Sequence, residues 1–149
     1  MSVGEYCNRD VVVITRSESV REAVDLMRRF HVGNVVVVEE QTTMPVPVGI
    51  ITDRDIVIEI LAEGVDINSV NIGDVMSLEL ITVKEDTKLL DAVEIMRSKG
   101  IRRLPVVNGG GGLVGILTVD DVIELLSEQI TNIVGIISNE QRQEQDKRN

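Results

Sequence analysis

The chain has 149 residues, and 15 Lys and Arg against 25 Asp and Glu give it a formal net charge of −10 at pH 7. A surface of that sign repels nucleic acid and anionic lipid, and with one Tyr, one Phe and no Trp the chain lacks aromatic platforms for single-stranded nucleic acid. Its single cysteine, Cys7, excludes an internal disulfide, and there is no Cys/His cluster for zinc, no leader-like segment and no long apolar run. We expect a cytoplasmic protein with neither a nucleic-acid nor a membrane partner.

The same pattern occurs twice along the chain. Val3–Arg28 aligns with Ile72–Arg97 at an offset of 69 residues, without a gap. After a loop that is three residues longer in the first copy, the offset becomes 66, and Val48–Ile56 matches Val114–Val122. An internal repeat constrains the architecture before any single element is assigned. It predicts two half-domains related by a pseudo-twofold axis, so that a site at the seam occurs twice in related form.

The first copy has the order β-α-β-β-α. Short β-branched runs predict strands, and apolar residues at helical spacing after Ser17–Ser19 predict a helix that ends at Gly33 and Asn34. The predicted elements are strand Val11–Ile14, the helix from Val20, strand Val35–Val38, loop Glu39–Pro47, strand Val48–Ile51 and helix Asp53–Glu63 before Gly64.

The second copy repeats this order. Its predicted elements are strand Leu80–Val83, helix Leu89–Lys99 before Gly100, strand Leu104–Val107, loop Asn108–Gly112, strand Leu113–Leu117 and a helix from Val119. We divide the chain into a first repeat (3–66), a linker with the N-terminal arm of the second repeat (67–79), a second repeat with an extended last helix (80–138) and a polar tail (139–149). The tail has no apolar residue, which predicts frayed helix or disorder.

The predicted fold class is α/β. Four consecutive valines at Val35–Val38 are typical of a strand that is buried on both faces. We therefore expect the two sheets to pack face to face, with the helices outside.

A short polar motif stands where a buried strand turns into a helix in each copy, as Thr52-x-x-Asp55 and Thr118-x-x-Asp121. Ser/Thr-x-x-acid is a helix capping box, and an acidic residue suits the positive end of the helix dipole. A carboxylate can also accept hydrogen bonds from the two hydroxyls of a ribose, and a threonine hydroxyl can bond to phosphate or sugar oxygens. The capping and ligand roles can coexist, because a carboxylate has two oxygens.

Taken together, these features resemble a tandem pair of CBS domains. The resemblance rests on the β-α-β-β-α order, the run Gly-h-h-Thr-x-x-Asp (h, apolar), "IGDVMS" at Ile72–Ser77 and "IRRLPVV" at Ile101–Val107, and it spans about residues 3 to 135. It implies a stand-alone regulatory module that binds AMP, ADP or ATP in clefts between the repeats and signals to an unidentified partner protein. It implies no obligatory cofactor.

The resemblance also implies which residues line the two clefts, and that the clefts are unequal. The better-equipped cleft is expected to use Arg102, Arg103, Thr118, Asp120, Asp121, Val12 and Val13. The second cleft is expected to use Thr52, Arg54, Asp55, Ile81 and Thr82. The asymmetry arises because Gly33 and Asn34 stand in the first copy where the two arginines stand in the second. Guanidinium groups neutralise phosphate well.

No catalytic or metal constellation is present in the sequence, which indicates a non-enzyme. Gly110–Gly115 formally matches G-x-G-x-x-G, but it precedes a predicted strand and not a helix, so it does not predict a dinucleotide site. Two further functions stay open beside the nucleotide sensor: a ligand-free interaction scaffold, and a module that binds S-adenosylmethionine or NAD(H).

The outer helices carry more apolar positions than one small domain needs, which predicts a homodimer. These positions are Val57, Ile60, Leu61, Val122, Ile123, Leu125, Leu126, Ile130, Ile133, Val134, Ile136 and Ile137.

Overall fold

In the computed structural model, which describes residues 1–39, 43–77 and 79–148, the chain forms two three-stranded sheets with helices on their outer faces. The first half comprises α1 (Val3–Tyr6), β1 (Val13–Thr15), α2 (Val20–Phe30), β2 (Asn34–Val38), β3 (Pro47–Thr52), α3 (Asp53–Asp55) and a π-helical segment, Ile56–Leu61. β1 pairs with β2 in parallel, and β2 pairs with β3 antiparallel.

The second half repeats that arrangement. It comprises α4 (Ile72–Val75), β4 (Val83–Lys84), α5 (Leu89–Lys99), β5 (Arg103–Val107), β6 (Leu113–Thr118) and α6 (Val119–Arg148). β4 pairs with β5 in parallel, and β5 with β6 antiparallel. The predicted α/β class with two repeats is confirmed.

The two sheets pack against each other through alternate residues of β2 and β3. Val36 and Val38 form a buried cluster with Ile116 of β6, and Ile50 packs against it. Val35 and Val37 point the other way, into the core beneath α2. The valine run is thus covered on both faces, as the sequence predicts, and the sheets lie face to face.

Each N-terminal arm packs on the opposite half. Val3 of α1 is fully buried in the core of the second half beside Leu89, whereas Ile72 of α4 is buried in the core of the first half beside Val20. The backbone N–H of Val3 donates to the Thr87 carbonyl at 2.8 Å. The Ile72 N–H donates to the Glu18 carbonyl at 2.8 Å, which is the equivalent bond at an offset of 69 residues. Each arm therefore crosses to the other half in the same way.

Several element bounds differ from prediction. β1 begins at Val13, two residues later than predicted, and β4 begins at Val83, three residues later. Val11 and Val12 line a cavity before β1. The helix expected over Asp53–Glu63 is α3 followed by the π-helical segment, which ends at Leu61. The predicted loop Glu39–Pro47 includes residues 40–42, which, like Leu78 of the linker and Asn149 of the tail, lie outside the described residues.

The last helix continues through the polar tail. α6 runs from Val119 to Arg148 and so includes the described part of the segment for which we expected fraying or disorder. Glu, Gln, Lys and Arg dominate that segment, and all four have good helix propensity, so nothing local stops the helix. In the part of the chain that the structure describes, no helix is both long and apolar enough to cross a membrane.

The glycine run after β5 is a hairpin loop. The Asn108 side-chain oxygen accepts from the N–H groups of Gly110 and Gly112 at 2.9 and 3.0 Å. The loop leads into β6, which agrees with the rejection of a dinucleotide-binding turn.

Candidate functional site

A cavity of about 210 Å³ lies at the seam between the two halves. We call it the seam cavity. It is lined by Asn8, Asp10, Val11, Val12, Val32, Gly33, Asn34, Arg102, Arg103, Ile116, Thr118, Val119, Asp120 and Asp121. An adjoining, more apolar cavity of about 510 Å³ is lined by Asn8, Asp10, Val11, Val12, Val13, Leu26, Phe30 and Val32.

Most residues predicted for the better cleft lie together in this cavity. Arg102, Arg103, Thr118, Asp120, Asp121 and Val12 line the seam cavity, and Val13 lines its apolar neighbour. The two cavities share five lining residues, and together they reach the size of roughly 300–1,000 Å³ that is typical of small-molecule sites.

The start of α6 is fixed by a reciprocal cap. The Thr118 hydroxyl accepts from the Asp121 N–H at 3.2 Å, and Asp121 Oδ2 accepts from the Thr118 N–H at 3.3 Å. Within the described residues no hydrogen bond occupies Asp121 Oδ1. The carboxylate therefore caps the helix through one oxygen and leaves the other for a ligand in the cavity it lines.

The two arginines differ in their surroundings. Arg103 begins β5 and pairs across the ladder with Thr118, which ends β6. Arg102 lies one residue earlier, where its carbonyl accepts from the Val119 N–H at 2.9 Å. The Arg102 guanidinium lies 3.8 Å from Asp120 Oδ1, but the two side chains are 72% and 82% exposed. Such an exposed ion pair is weak, so a phosphate can compete for Arg102.

The Asn8–Val12 segment forms one wall of the cavity and comes from the first half. Asn8 and Ile116 exchange two backbone hydrogen bonds, each of 2.9 Å, which fix this segment along β6. The Val12 carbonyl accepts from the Val36 N–H at 3.0 Å. The wall is therefore held by both sheets.

Sequence reasoning missed part of the lining. The sequence patterns predict Gly33 and Asn34 only as counterparts of the arginines, and they do not predict Asn8, Asp10, Val11, Val32, Ile116 or Val119 as lining residues. The polar pair Asn8 and Asp10, just before a predicted strand, was the signal that could have indicated a site. Asp10 matters because the cavity lining now carries three aspartates against two arginines, which is one excess negative charge.

Gly33 lies between the two halves. A Cβ built on it would stand 3.1 Å from Asp53 Oδ2 and 3.2 Å from Arg103 Nη2. Arg103 thus reaches towards Gly33 and the start of α3 in the first half, and it also lines the seam cavity. Gly33 and Asn34 line the same cavity as Arg102 and Arg103, and the inequality of the two clefts stays a prediction.

Fewer of the residues predicted for the second cleft lie together. Thr52 and Asp55 form the same capping box, with bonds of 3.0 and 3.1 Å. A cavity of about 430 Å³ beside Asp55 is lined by Asp55, Glu59, Asp74, Val75 and Ser77, so Thr52, Arg54, Ile81 and Thr82 do not contribute to it. Its three carboxylates have no cationic counterpart among those lining residues. Such a surface repels phosphate.

The lone cysteine lies apart from this chemistry. Burial raises the pKa of the Cys7 thiol, and the nearby Arg9 guanidinium only partly opposes the shift. Its Sγ packs tightly against Gly115, just as Met76 packs against Gly49 at the equivalent place in the first half. The described residues contain no group of three or more His, Cys, Asp or Glu side chains placed to hold a metal ion.

The fold and the seam cavity define a tandem-repeat module, and comparison with known proteins identifies its family. The CBS domain model matches residues 3–62 and 72–128, so the chain belongs to the CBS domain family. An uncharacterised protein of Methanopyrus kandleri is 42% identical over 125 residues, covering 84% of this chain and 62% of that protein. The CBS domain-containing protein YhcV of Bacillus subtilis is 35% identical, covering 81% of this chain and 82% of that protein. The chain thus spans less than two thirds of the first relative.

Among solved structures, a CBS domain pair in complex with 5′-methylthioadenosine and S-adenosyl-L-methionine superposes with a TM-score of 0.76. It is 26% identical, and the match covers 87% of this chain and 98% of that one. The CBS-pair architecture therefore extends over nearly the whole of this chain.

Proposed function

We propose that the chain is a regulatory module that binds an adenosine-containing ligand in the seam cavity, with AMP as the best fit. The observation that carries this proposal is the convergence of Thr118, Asp121 and two arginines from one half with the Val12 wall of the other. Asp121 Oδ1 accepts from the ribose hydroxyls, and Arg102 and Arg103 meet the phosphate. The adjoining apolar cavity takes the base.

The charge of the cavity limits the number of phosphates. Two arginines face three aspartates, and one arginine already has an aspartate partner. Because every further phosphate adds negative charge to a chain of net charge −10, ADP and ATP bind more weakly than AMP in this proposal.

Two observations favour a second candidate, S-adenosylmethionine. The cavity has a negative excess that suits a cationic sulfonium, and the similar CBS domain pair was solved with that molecule and with 5′-methylthioadenosine. The ribose contacts at Thr118 and Asp121 are the same for both candidates, so charge is what distinguishes them.

Ligand binding regulates a partner protein by changing how the two halves sit on each other. The ligand would touch residues of both halves at once, so it favours the arrangement in which they converge. The protein acts as a homodimer that associates through apolar side chains exposed on its outer helices, namely Val57, Leu61, Ile123 and Leu126. Ile60, Val122 and Leu125 do not contribute to that face, because they are buried in the chain's own core. The module has no catalytic role of its own.

Titration calorimetry with AMP, ATP, NADH and S-adenosylmethionine tests the ligand proposal. We expect AMP to bind more tightly than ATP, and added salt to weaken AMP binding because the attraction to phosphate comes from partly exposed arginines. If none of the four ligands binds, the ligand-free scaffold is the correct function. Sedimentation that gives a 16.4 kDa monomer at micromolar concentration would exclude the homodimer.

A further inference from the structure

The C-terminal half of α6 extends past the residues that the CBS domain model matches. The match ends at residue 128, whereas α6 continues to Arg148. At about 1.5 Å per residue, those twenty residues extend the helix by about 30 Å. Five branched apolar side chains on this extension are 55 to 65% exposed: Ile130, Ile133, Val134, Ile136 and Ile137. We call these five residues the extension stripe.

Three residues of the extension stripe, Ile130, Ile133 and Ile137, continue a helix-pairing seam that begins earlier in α6. Ile123, Leu126, Ile130, Ile133 and Ile137 follow one another at intervals of 3, 4, 3 and 4, and all are exposed. This alternation keeps one face of a helix against a partner helix. The positions that flank the seam are uncharged: Ser127, Gln129, Val134, Ile136, Gln141 and Gln143. A helix made to stand alone in water normally carries charges there.

Residues 130–137 of the extension are poorly suited to stand alone as a helix. They are rich in β-branched residues and include Gly135, all of which lower helix propensity. Helices in water draw most of their stability from packing of an apolar face. The extension stripe therefore needs a covering surface, and the described residues of its own chain leave it exposed.

The charges of α6 argue against two classes of partner and favour one direction of pairing. The first third of α6 carries Asp120, Asp121, Glu124 and Glu128 without a base, which excludes anionic lipid and nucleic acid. The end of the helix carries Arg142, Lys147 and Arg148 among three acids. Two copies in parallel would set the acidic thirds side by side. Antiparallel copies set each acidic third beside the neutral end of the other helix, with opposed helix dipoles.

We propose that the extension stripes of two copies pair antiparallel, with Ile133 and Val134 at the twofold axis and Ile130 opposite Ile137 of the second copy. The same stripe then serves both subunits, as an isologous contact requires. This pairing is centred beyond the two repeats, while Ile123 and Leu126 of the seam lie within the second repeat. It rests on the proposed homodimer and does not depend on nucleotide binding.

The exposed apolar area is sufficient for a stable contact. Burial of a branched aliphatic side chain removes on the order of 100 Å² from water, so the stripe at 55–65% exposure supplies about 300 Å² per copy. The exposed Val57, Ile58, Leu61, Ile123 and Leu126 bring the total from two copies to roughly 1,000 Å², the lower bound of specific interfaces.

Sedimentation equilibrium of the full chain tests the pairing. We expect Ile133→Gln/Ile137→Gln to weaken self-association at least tenfold, because two polar amides replace the centre of the stripe. The matched control, Thr131→Gln/Ser138→Gln, changes the adjacent polar side of the same helix and should leave the dimer Kd within twofold. Equal dissociation constants for the two variants, or a monomeric parent chain, would overturn the proposal. AMP binding, measured in parallel, reports separately on the seam cavity.

Disulfide cross-linking tests the direction, in a Cys7→Ser background. Ile133→Cys should cross-link with itself, and a mixture of chains carrying Ile130→Cys and Ile137→Cys should give the mixed dimer. Ile137→Cys alone should not cross-link. Efficient self-linking by Ile137→Cys would indicate parallel helices and overturn the antiparallel arrangement.

Discussion

Gly4 donates its backbone N–H to the Glu85 carbonyl at 2.8 Å, which ties the N-terminal arm to the sheet of the opposite half. Gly73 makes the equivalent bond to the Arg16 carbonyl at 2.9 Å. At both places the backbone approaches so closely that a side chain would have to displace its neighbour. The packing of each arm on the opposite half therefore requires glycine at positions 4 and 73.

Gly4→Ala should destabilise the protein. The new Cβ would lie 2.9 Å from the Glu85 carbonyl oxygen, and that oxygen belongs to rigid backbone. Overpacking of this kind costs about 1–3 kcal/mol in the free energy of unfolding, measured by urea denaturation. Gly73→Ala should cost less, because its Cβ stands 3.2 Å from the Arg16 oxygen. Gly109→Ala, with open space around it, is the control, and a loss there as large as at Gly4 would contradict this account.

Asp121→Ala should weaken AMP binding far more than Asp55→Ala. Both variants lose the bond that the carboxylate accepts from the threonine N–H, so their stabilities should fall alike, but only Asp121 lines the cavity with two arginines. An ionic hydrogen bond to ribose contributes roughly 1.5–3 kcal/mol, which is about ten- to a hundredfold in affinity. Calorimetry on both variants measures the difference. Equal losses, or none, would show that the ligand lies elsewhere.

Asp120→Asn should shift the ligand preference towards more phosphates. It removes one of three carboxylates from the cavity and frees Arg102 from its ion pair. Because both groups are largely exposed, we expect only about a threefold gain for ATP relative to AMP. Competition between the two nucleotides provides the measurement. Glu124→Asn, one turn further along α6 and outside the lining, should leave the ratio unchanged.

The Cys7 thiol should resist alkylation at neutral and mildly alkaline pH. Burial raises its pKa above the ordinary 9.0, so the reactive thiolate forms only at higher pH in the folded protein. Because the pKa is higher in the folded state, the neutral thiol favours folding. This contribution to the free energy of unfolding is complete below pH 9.0 and is lost as the pH rises through the pKa of the folded protein. Iodoacetamide rates against pH test this, with Ser98→Cys/Cys7→Ser as an exposed reference. Equal rates for the two thiols would refute the effect of burial.

Much of the fold could be predicted from the sequence because it depends on local patterns. The repeat at offsets of 69 and 66, the doubly buried valines and the bounds of α5 all follow from period and cap chemistry within a few residues. The same holds for the two Thr-x-x-Asp capping boxes, whose bonds span three residues. The resemblance to the CBS family likewise depended on short motifs in a fixed order.

Tertiary structure alone decided the rest. No local pattern indicates that Val3 belongs to the core of the second half and Ile72 to that of the first. No local pattern indicates that Asp10, Gly33 and Arg103 line a single cavity, or that aspartates outnumber arginines in its lining. These contacts join residues far apart in the chain, and they form only where packing of the two sheets is best. The sequence predicts which polar groups belong to a candidate site, whereas the packing of the two halves determines which of these groups lie together.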